Sequence, residues 1–566
     1  MPCVNATPPS ADDHSIAIMA WTRRSAIPAI VAAVVPGVRR AQAAAVGPEV
    51  APLCDGMGAY RSSDASRSAV ARRYVAQGLV LGWGFNPAEA ARSFGGALAH
   101  DPHCAAALWG QAWALGPTIN ADMAADDAGA VDAALRRALA LRSGASPRWR
   151  GLVDALAARH PRPGTVDEEA YEASLRTLLA RDPRDADIAT LAAEALMNLH
   201  PYDWWHRDGH AQPWTAEIER RLRAALALDA GHPGANHAWV HLMETSPAPR
   251  RAAAEAERLR TLVPGSGHLL HMPAHIDMRL GRYAAAVQAN ERAIEADRRY
   301  IAQVDAQGAY RVGYVAHNHH FLWAAASMQG ASVRAIAAAD EAYAAACGPR
   351  RGERGVGTLQ LFQALPLYAR VRFGRWQELL TGVRPPDGDA PFALAIWHYA
   401  RGTALARTGR LDEAERERRV LETMADAPAL VAVRLKAVHP ATALATVARL
   451  TLRADLALAR GRTSEALPLL AEAVAIEDGL ERDEPHLWLA PTRHALGAAF
   501  LRAAQPAAAA TAFEQDLRHY PDNGWSLLGL QQAQQALGLA APARRTAARR
   551  AAAWRDADVT LDAPRL

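Results

Sequence analysis

From Ala69 onward, apolar residues recur three and four apart in almost every window, and short Asp-Pro, Gly-Arg or Pro-Asp turns interrupt the pattern about once per helix. That spacing puts the apolar side chains on one stripe of a helix, whereas a half-buried strand would alternate them every second residue. Helix pairs are read at residues 88–99 and 104–115, on either side of Asp101-Pro102, and helices follow at 167–180, 188–199, 216–228 and 237–244. Later pairs turn at Gly281-Arg282-Tyr283, Gly330-Ala331-Ser332, Gly374-Arg375-Trp376, Gly409-Arg410-Leu411 and Gly461-Arg462-Thr463. A glycine that closes a helix in the left-handed conformation, followed by a second helix with small residues such as Ala285, Ala289 and Ala293, is a repeated helical hairpin.

Length agrees with this. A chain of 566 residues, half of them apolar and 6% aromatic, exceeds one hydrophobic core, so it is a repeat array or several domains. Strands are expected to be rare or absent. The formal net charge of +4 comes from 63 basic residues of which Lys436 is the only lysine, and the arginines alternate with acids throughout, so no nucleic-acid partner is expected. The cluster Arg544, Arg545, Arg549 and Arg550 reads as the solvated face of a last helix. Cys3, Cys54, Cys104 and Cys347 are too scattered for a disulfide framework or a CxxC metal site. P-loop, HExxH, GxSxG and dinucleotide motifs are missing, so the familiar hydrolase and nucleotide chemistries gain no support.

Thr22, Arg23 and Arg24 precede a short apolar run at 26–38, then Arg39, Arg40 and the small-residue site Ala41-Gln42-Ala43. This reads as a signal peptide of the twin-arginine type with cleavage near Ala44, and Met19 is a candidate start. The run is too short to span a bilayer. A periplasmic or secreted protein without a transmembrane segment is expected, organised as a leader (1–45), an extension (46–75), a histidine-lined solenoid (76–345), connecting helices (346–385) and C-terminal repeats (386–566).

The number and spacing of these hairpins resemble tetratricopeptide repeats over most of the mature chain. The resemblance implies an all-α, right-handed α-solenoid of tetratricopeptide-like helix pairs. Four stretches resemble a group of exported, histidine-rich bacterial repeat proteins: Cys104 to Asn120, Asn236-His237 with His241 and Glu244, His271-Met272-Pro273-Ala274-His275, and His317-Asn318-His319-His320-Phe321. The chain departs from that group at Tyr60 and Arg61, where relatives tend to carry a histidine pair, and at Ala107, where many have a second cysteine.

Of 21 histidines, eight fall between His237 and His320. His237 and His241 are four apart, as are His271 and His275, and the two pairs are offset by 34 residues (271 − 237 and 275 − 241), which is the tetratricopeptide period. Residues four apart share a helix face, and successive helices stack about 8–10 Å apart, so four imidazoles are expected to reach one shared centre. In repeats of the family resembled, positions six, ten and thirteen before the turn glycine line the concave groove. They are His275, His271 and His268 before Gly281, and Ala324, His320 and His317 before Gly330. Glu244, one turn beyond His241, is placed as a carboxylate ligand, a general base or the partner that fixes an imidazole tautomer. His319 lies one step off this stripe.

His237, His241, His268, His271, His275, His317 and His320 are therefore the candidate ligands of a divalent transition metal, with zinc, iron, manganese and copper left open and a two-metal centre allowed. The function expected is a metalloprotein holding a metal and a small organic substrate in its groove, with Glu244 as the catalytic candidate. The chemistry would be oxidative with iron or copper, or Lewis-acid with zinc. A periplasmic scaffold binding a peptide or protein in the same groove without metal, and metal storage or trafficking, are the alternatives. The insertion at 201–214 is either a packed loop or a lid. His398, His439, His486 and His494 read as isolated, ordinary residues.

Overall fold

The computed structural model describes residues 51–304, 310–347, 357–386, 389–436, 438–480, 483–488 and 490–565. The expected leader, with Met19, Arg23, Arg24 and its cleavage site, lies outside the described residues, as does Cys3.

Helices follow one another with short turns. The N-terminal set is α1 (Ala69–Trp83), α2 (Pro87–His100), α3 (Ala105–Ala114), α4 (Ala128–Leu141), α5 (Pro147–Arg159), α6 (Glu168–Arg181), α7 (Ala186–Leu199) and α8 (Thr215–Leu228). The central set is α9 (Pro233–Glu244), α10 (Ala253–Leu262), α11 (Gly267–His271), α12 (Pro273–Arg279), α13 (Tyr283–Val304), α14 (Val315–Gln329) and α15 (Ser332–Cys347). Then come α16 (Gly357–Arg372), α17 (Trp376–Thr381), α18 (Pro391–Arg407), α19 (Leu411–Ala425) and α20 (Pro428–Val431). A two-residue antiparallel ladder, β1 (Arg434–Leu435) with β2 (His439–Pro440), leads to α21 (Ala441–Ala459), α22 (Thr463–Gly479), α23 (Thr492–Arg502), α24 (Pro506–His519), α25 (Gly524–Ala536) and α26 (Ala540–Ala553). No helix among the described residues is long and apolar enough to cross a membrane.

Each helix packs chiefly on its chain neighbours, the contact pattern of a solenoid. The hairpins close as the sequence indicates. Gly281, Gly330, Gly374, Gly409 and Gly461 all have φ between 64° and 77°. The residue after each returns a hydrogen bond to the carbonyl five residues back, as in Arg282 N to Asp277 O at 2.8 Å and Arg410 N to Leu405 O at 2.9 Å, which is the Schellman closure. The first hairpin makes the same bond, Asn86 N to Leu81 O at 2.9 Å, but Phe85 occupies the left-handed position at φ 55°. A non-glycine residue held there costs about 1–3 kcal/mol.

Two long-range contacts bend the array. Helix α1 packs on α9, and Asn86 donates to the Tyr300 hydroxyl at 2.7 Å, joining the first hairpin to the end of α13. Helix α25 packs on α14, where Trp525 Nε1 donates to Ser327 O at 2.9 Å and Trp554 Nε1 to Met328 O at 3.0 Å. Of the histidine-bearing helices α9, α11, α12 and α14, α9 and α14 take part in these contacts.

Candidate metal centre

Helix α9 is positioned by a close backbone approach. Gly234 lies against the Trp83 indole, where a Cβ would stand 2.7 Å from ring atoms, and the Trp83 carbonyl accepts a hydrogen bond from His237 Nδ1 at 2.6 Å. On the next turn His241 Nδ1 donates to Glu244 Oε1 at 2.7 Å. Helix α11 starts at the Ser266 cap, and Gly267 lies on the Asp297 carboxylate, where a Cβ would be 2.0 Å from Oδ1. The Tyr310 hydroxyl donates to Asp297 Oδ1 at 2.8 Å and accepts from the His268 backbone N–H at 3.2 Å, which fixes the start of that helix. Pro273 then separates α11 from α12, since it supplies no N–H to continue the ladder.

Six imidazoles meet in two triads. His237, His241 and His268 each offer a nitrogen within 4.8 Å of the others, as do His271, His275 and His317. All six residues are buried, none more than 4% exposed. Within the triads, His237 Nε2 faces His268 Nε2 at 3.1 Å and His271 Nε2 faces His275 Nε2 at 2.8 Å. The opposite nitrogens are tethered: His271 Nδ1 donates to Asn290 Oδ1 at 2.7 Å, and His275 Nδ1 faces Glu244 Oε2. An imidazole whose Nδ1–H is held by a carbonyl or carboxylate presents a bare Nε2 lone pair, and such tethering of the non-ligating nitrogen is the usual support of a metal-bound histidine. Two such lone pairs repel at 2.8 Å unless a cation lies between them, either a proton or a metal ion.

Burial, followed by the neighbouring imidazoles, holds His237, His268, His271 and His317 well below the ordinary histidine pKa, so they are neutral at neutral pH, the form in which an imidazole can ligate a metal. Glu244 responds in the opposite sense. Burial alone would raise its pKa, but His275 and His241 outweigh this and keep it an anion, well below the usual carboxylate range.

Aromatic rings enclose the triads. Phe85 lies 4.6 Å from His237, 5.2 Å from His268 and 5.6 Å from His241 between ring centroids, and Phe321 lies 4.4 Å from His275 and 4.7 Å from His271. Tyr314 stands 4.9 Å from His268, and Tyr202 crosses His241 edge-on at 6.1 Å. Asn120 ties the two tyrosines together, accepting from Tyr202 at 2.7 Å and donating to Tyr314 at 3.3 Å. Phe85 and Tyr202 are the partly exposed members of this shell, and both, like Lys436, are held at positive φ.

No family model and no curated protein sequence matches the chain. Among solved structures, the human IFIT1 dimer with m7Gppp-AAAA aligns over 86% of this chain and 91% of its own at 12% identity, with a TM-score of 0.31. Yeast Tom70 aligns over 84% and 90% at 11% identity (TM-score 0.27), and the P58(IPK) TPR domain over 83% and 99% at 13% (TM-score 0.21). No residue correspondence follows at such scores, and the architecture stands on this chain's own hairpins. The chain is an all-α solenoid of tetratricopeptide-like helix pairs.

Several expectations for the site are corrected by this geometry. The four register-matched histidines do not share a centre. Each pair, spaced by four, forms its own triad with a third imidazole: the nitrogens gather in threes within 4.8 Å, although rings of the two triads approach to 5.8 Å between His268 and His271 and 5.9 Å between His241 and His275. The histidine face is buried rather than an open groove. His320 is not gathered with the others: it stacks on Trp323 at 5.6 Å and lies 6.3 Å from His317. His319 is also buried, and the charge that bears on it is that of Arg298. Of the three roles expected for Glu244, the geometry matches the partner that fixes an imidazole tautomer, since each of its oxygens meets an imidazole Nδ1, one of each triad. The 201–214 insertion is a packed loop, with Trp204 fully buried, that lends Tyr202 to the site.

Sequence reasoning missed Trp83, Phe85, Asn290 and Asp297, which carry no periodic signal. It also passed over Lys436, although a lone lysine among 63 basic residues was visible in the composition. Buried at 5% exposure, Lys436 pairs with Asp483 at 2.5 Å, His439 Nε2 reaches the same carboxylate at 3.2 Å, and the charge of Lys436 bears on both His317 and His320. His439 is thus no isolated residue.

Proposed function

We propose that this chain is a metalloprotein with two adjacent three-histidine sites, joined through Glu244, that acts on a small molecule admitted beside Phe85 and Tyr202. The observation that carries this reading is the pair of Nε2–Nε2 approaches at 2.8 and 3.1 Å, with the far nitrogens of His237, His241, His271 and His275 all tethered. A metal ion bound there would take the place of the proton between facing imidazoles.

Three imidazoles leave a fourth position open, the arrangement of catalytic rather than closed structural sites. With Glu244 held in the outer shell the donors are all nitrogen, which favours zinc, copper or iron over manganese. Through Glu244, each triad's occupancy bears on the other's, because withdrawing electron density from His241 changes the carboxylate available to His275. Export through the twin-arginine route, led by Arg23 and Arg24, belongs to the same proposal, since that pathway carries proteins already folded around their cofactors.

The competing reading is a scaffold that binds a peptide in the groove, a common use of such repeats. Burial of the histidine face favours the metal reading. Elemental analysis of protein purified from the periplasm without a histidine tag decides between them. About two equivalents of metal per chain are expected, and none would leave the scaffold. Turnover of candidate substrates by the loaded protein, set against the metal-free form, then separates an enzyme from a storage protein.

A further inference from the structure

A second cluster of buried polar groups lies far along the chain from the histidine triads, where α16, α18, α21, α23, α25 and the C-terminal tail meet. Arg372, the last residue of α16, is buried at 7% exposure, and its guanidinium lies 3.9 Å over the Trp525 ring. One nitrogen is accounted for: Nη1 donates to His494 Nδ1 at 2.9 Å, and His494 Nε2 passes the chain on to Asp516 Oδ2, also at 2.9 Å. The other edge is bare. Among the described residues Arg372 Nε and Nη2 have no hydrogen-bond partner, and neither does Thr451 Oγ1, itself 3% exposed.

These groups line a small, partly open cavity together with Tyr399, Trp488 and Arg565. The space open to the centres of water-sized molecules in it is about 20 Å³. The nearby carboxylates are already engaged. Asp455 takes both Arg565 nitrogens at 2.7 Å, Asp516 accepts from Ser526 at 2.6 Å and Asn523 at 3.0 Å besides His494, and Glu477 accepts from the Thr492 N–H at 2.8 Å. Arg372 has no carboxylate of its own, and burial pulls its pKa below the ordinary arginine value.

Nε and Nη2 form the parallel fork with which arginine grips a planar anion through two hydrogen bonds. We infer that this cavity binds a planar monovalent oxyanion of the size of formate or bicarbonate, held by the Arg372 fork and the Thr451 hydroxyl. The volume excludes phosphate esters and nucleotides, and the wall of Trp525 and Trp488 excludes hydrated cations. Bound there, the anion joins α16 and α21 to α25, the helix whose Trp525 holds the C-terminal repeats onto α14. It thus strengthens the packing of the C-terminal repeats on α14.

The test is thermal unfolding of the full chain, titrated separately with sodium formate and sodium bicarbonate against sodium chloride at matched ionic strength, followed by a crystal structure in formate. A saturable rise in Tm with at least one oxyanion, and planar density on Nε and Nη2, are expected. Thr451→Val, which keeps the shape and removes one donor to the anion, is expected to weaken half-saturation about tenfold. Arg372→Gln is expected to abolish the saturable rise, and if that variant does not fold the Thr451→Val titration decides alone. A single ordered water in the cavity, or Tm curves identical across the three salts in wild type and Thr451→Val, overturns the inference.

Discussion

Asn290 holds the His271 ring through one hydrogen bond, and Glu244 holds His241 and His275 through its two oxygens. Loss of such a partner typically costs 10–100-fold in metal affinity with the ligands left in place. Asn290→Leu is therefore expected to weaken the His271 triad alone, and Glu244→Gln to weaken both triads together, as read by competition with a chromophoric chelator. Equal affinities in both variants and wild type would contradict the outer-shell assignment. Asp297 makes a separate case. Burial pushes its carboxyl up to about 7, against about 3.9 in an unfolded chain. The folded state thus holds that proton more tightly, and its contribution to stability, complete at low pH, is lost as pH rises between those two values. Asp297→Asn is expected to flatten this part of the stability profile in urea unfolding between about pH 4 and 7, and an unchanged slope refutes it.

At the level of elements, the repeat period made the hairpins legible, and five turn glycines fell at positive φ where the sequence placed them. The same period misled at the site. An offset of 34 residues says that two pairs of histidines occupy equivalent positions on successive hairpins. It does not say how far apart stacking leaves them, and the break at Pro273 and the approach of Gly267 to Asp297 settle that distance. Gly267 and Gly409 separate packing from backbone freedom. A Cβ at Gly267 meets the Asp297 carboxylate, so Gly267→Ala is expected to cost about 1–3 kcal/mol through overpacking and to disturb both triads, since α11 carries His268 and His271. Gly409 has open space around it but φ 77°, so Gly409→Ala is expected to cost about 1–2 kcal/mol and leave metal binding intact. Urea unfolding paired with metal content checks both, and metal loss in Gly409→Ala would count against the assignment.

For the whole molecule, what the sequence could not show is enclosure. Phe85 stands about 150 residues before His237 and Lys436 more than 100 after His320, and no periodic pattern links residues brought together by a bend in the array. An open groove was the natural reading of a repeat taken alone. Trp83 and Phe85 from the first hairpin and Lys436 from the C-terminal half cover it, while α25 packs on the far end of α14, so Trp525→Ala is expected to cost about 3–5 kcal/mol and to raise hydrogen exchange along α14. Unchanged protection there would detach the C-terminal repeats from the site. The central claim, two distinct histidine triads rather than one shared centre or none, is tested most directly by counting metal per chain. After reconstitution with zinc, copper, iron and manganese in turn, wild type is expected to hold two equivalents of its preferred metal, with one each in His241→Ala and His271→Ala, near zero in the double variant and two in His398→Ala. No stoichiometric metal in wild type with any of the four ions would contradict it.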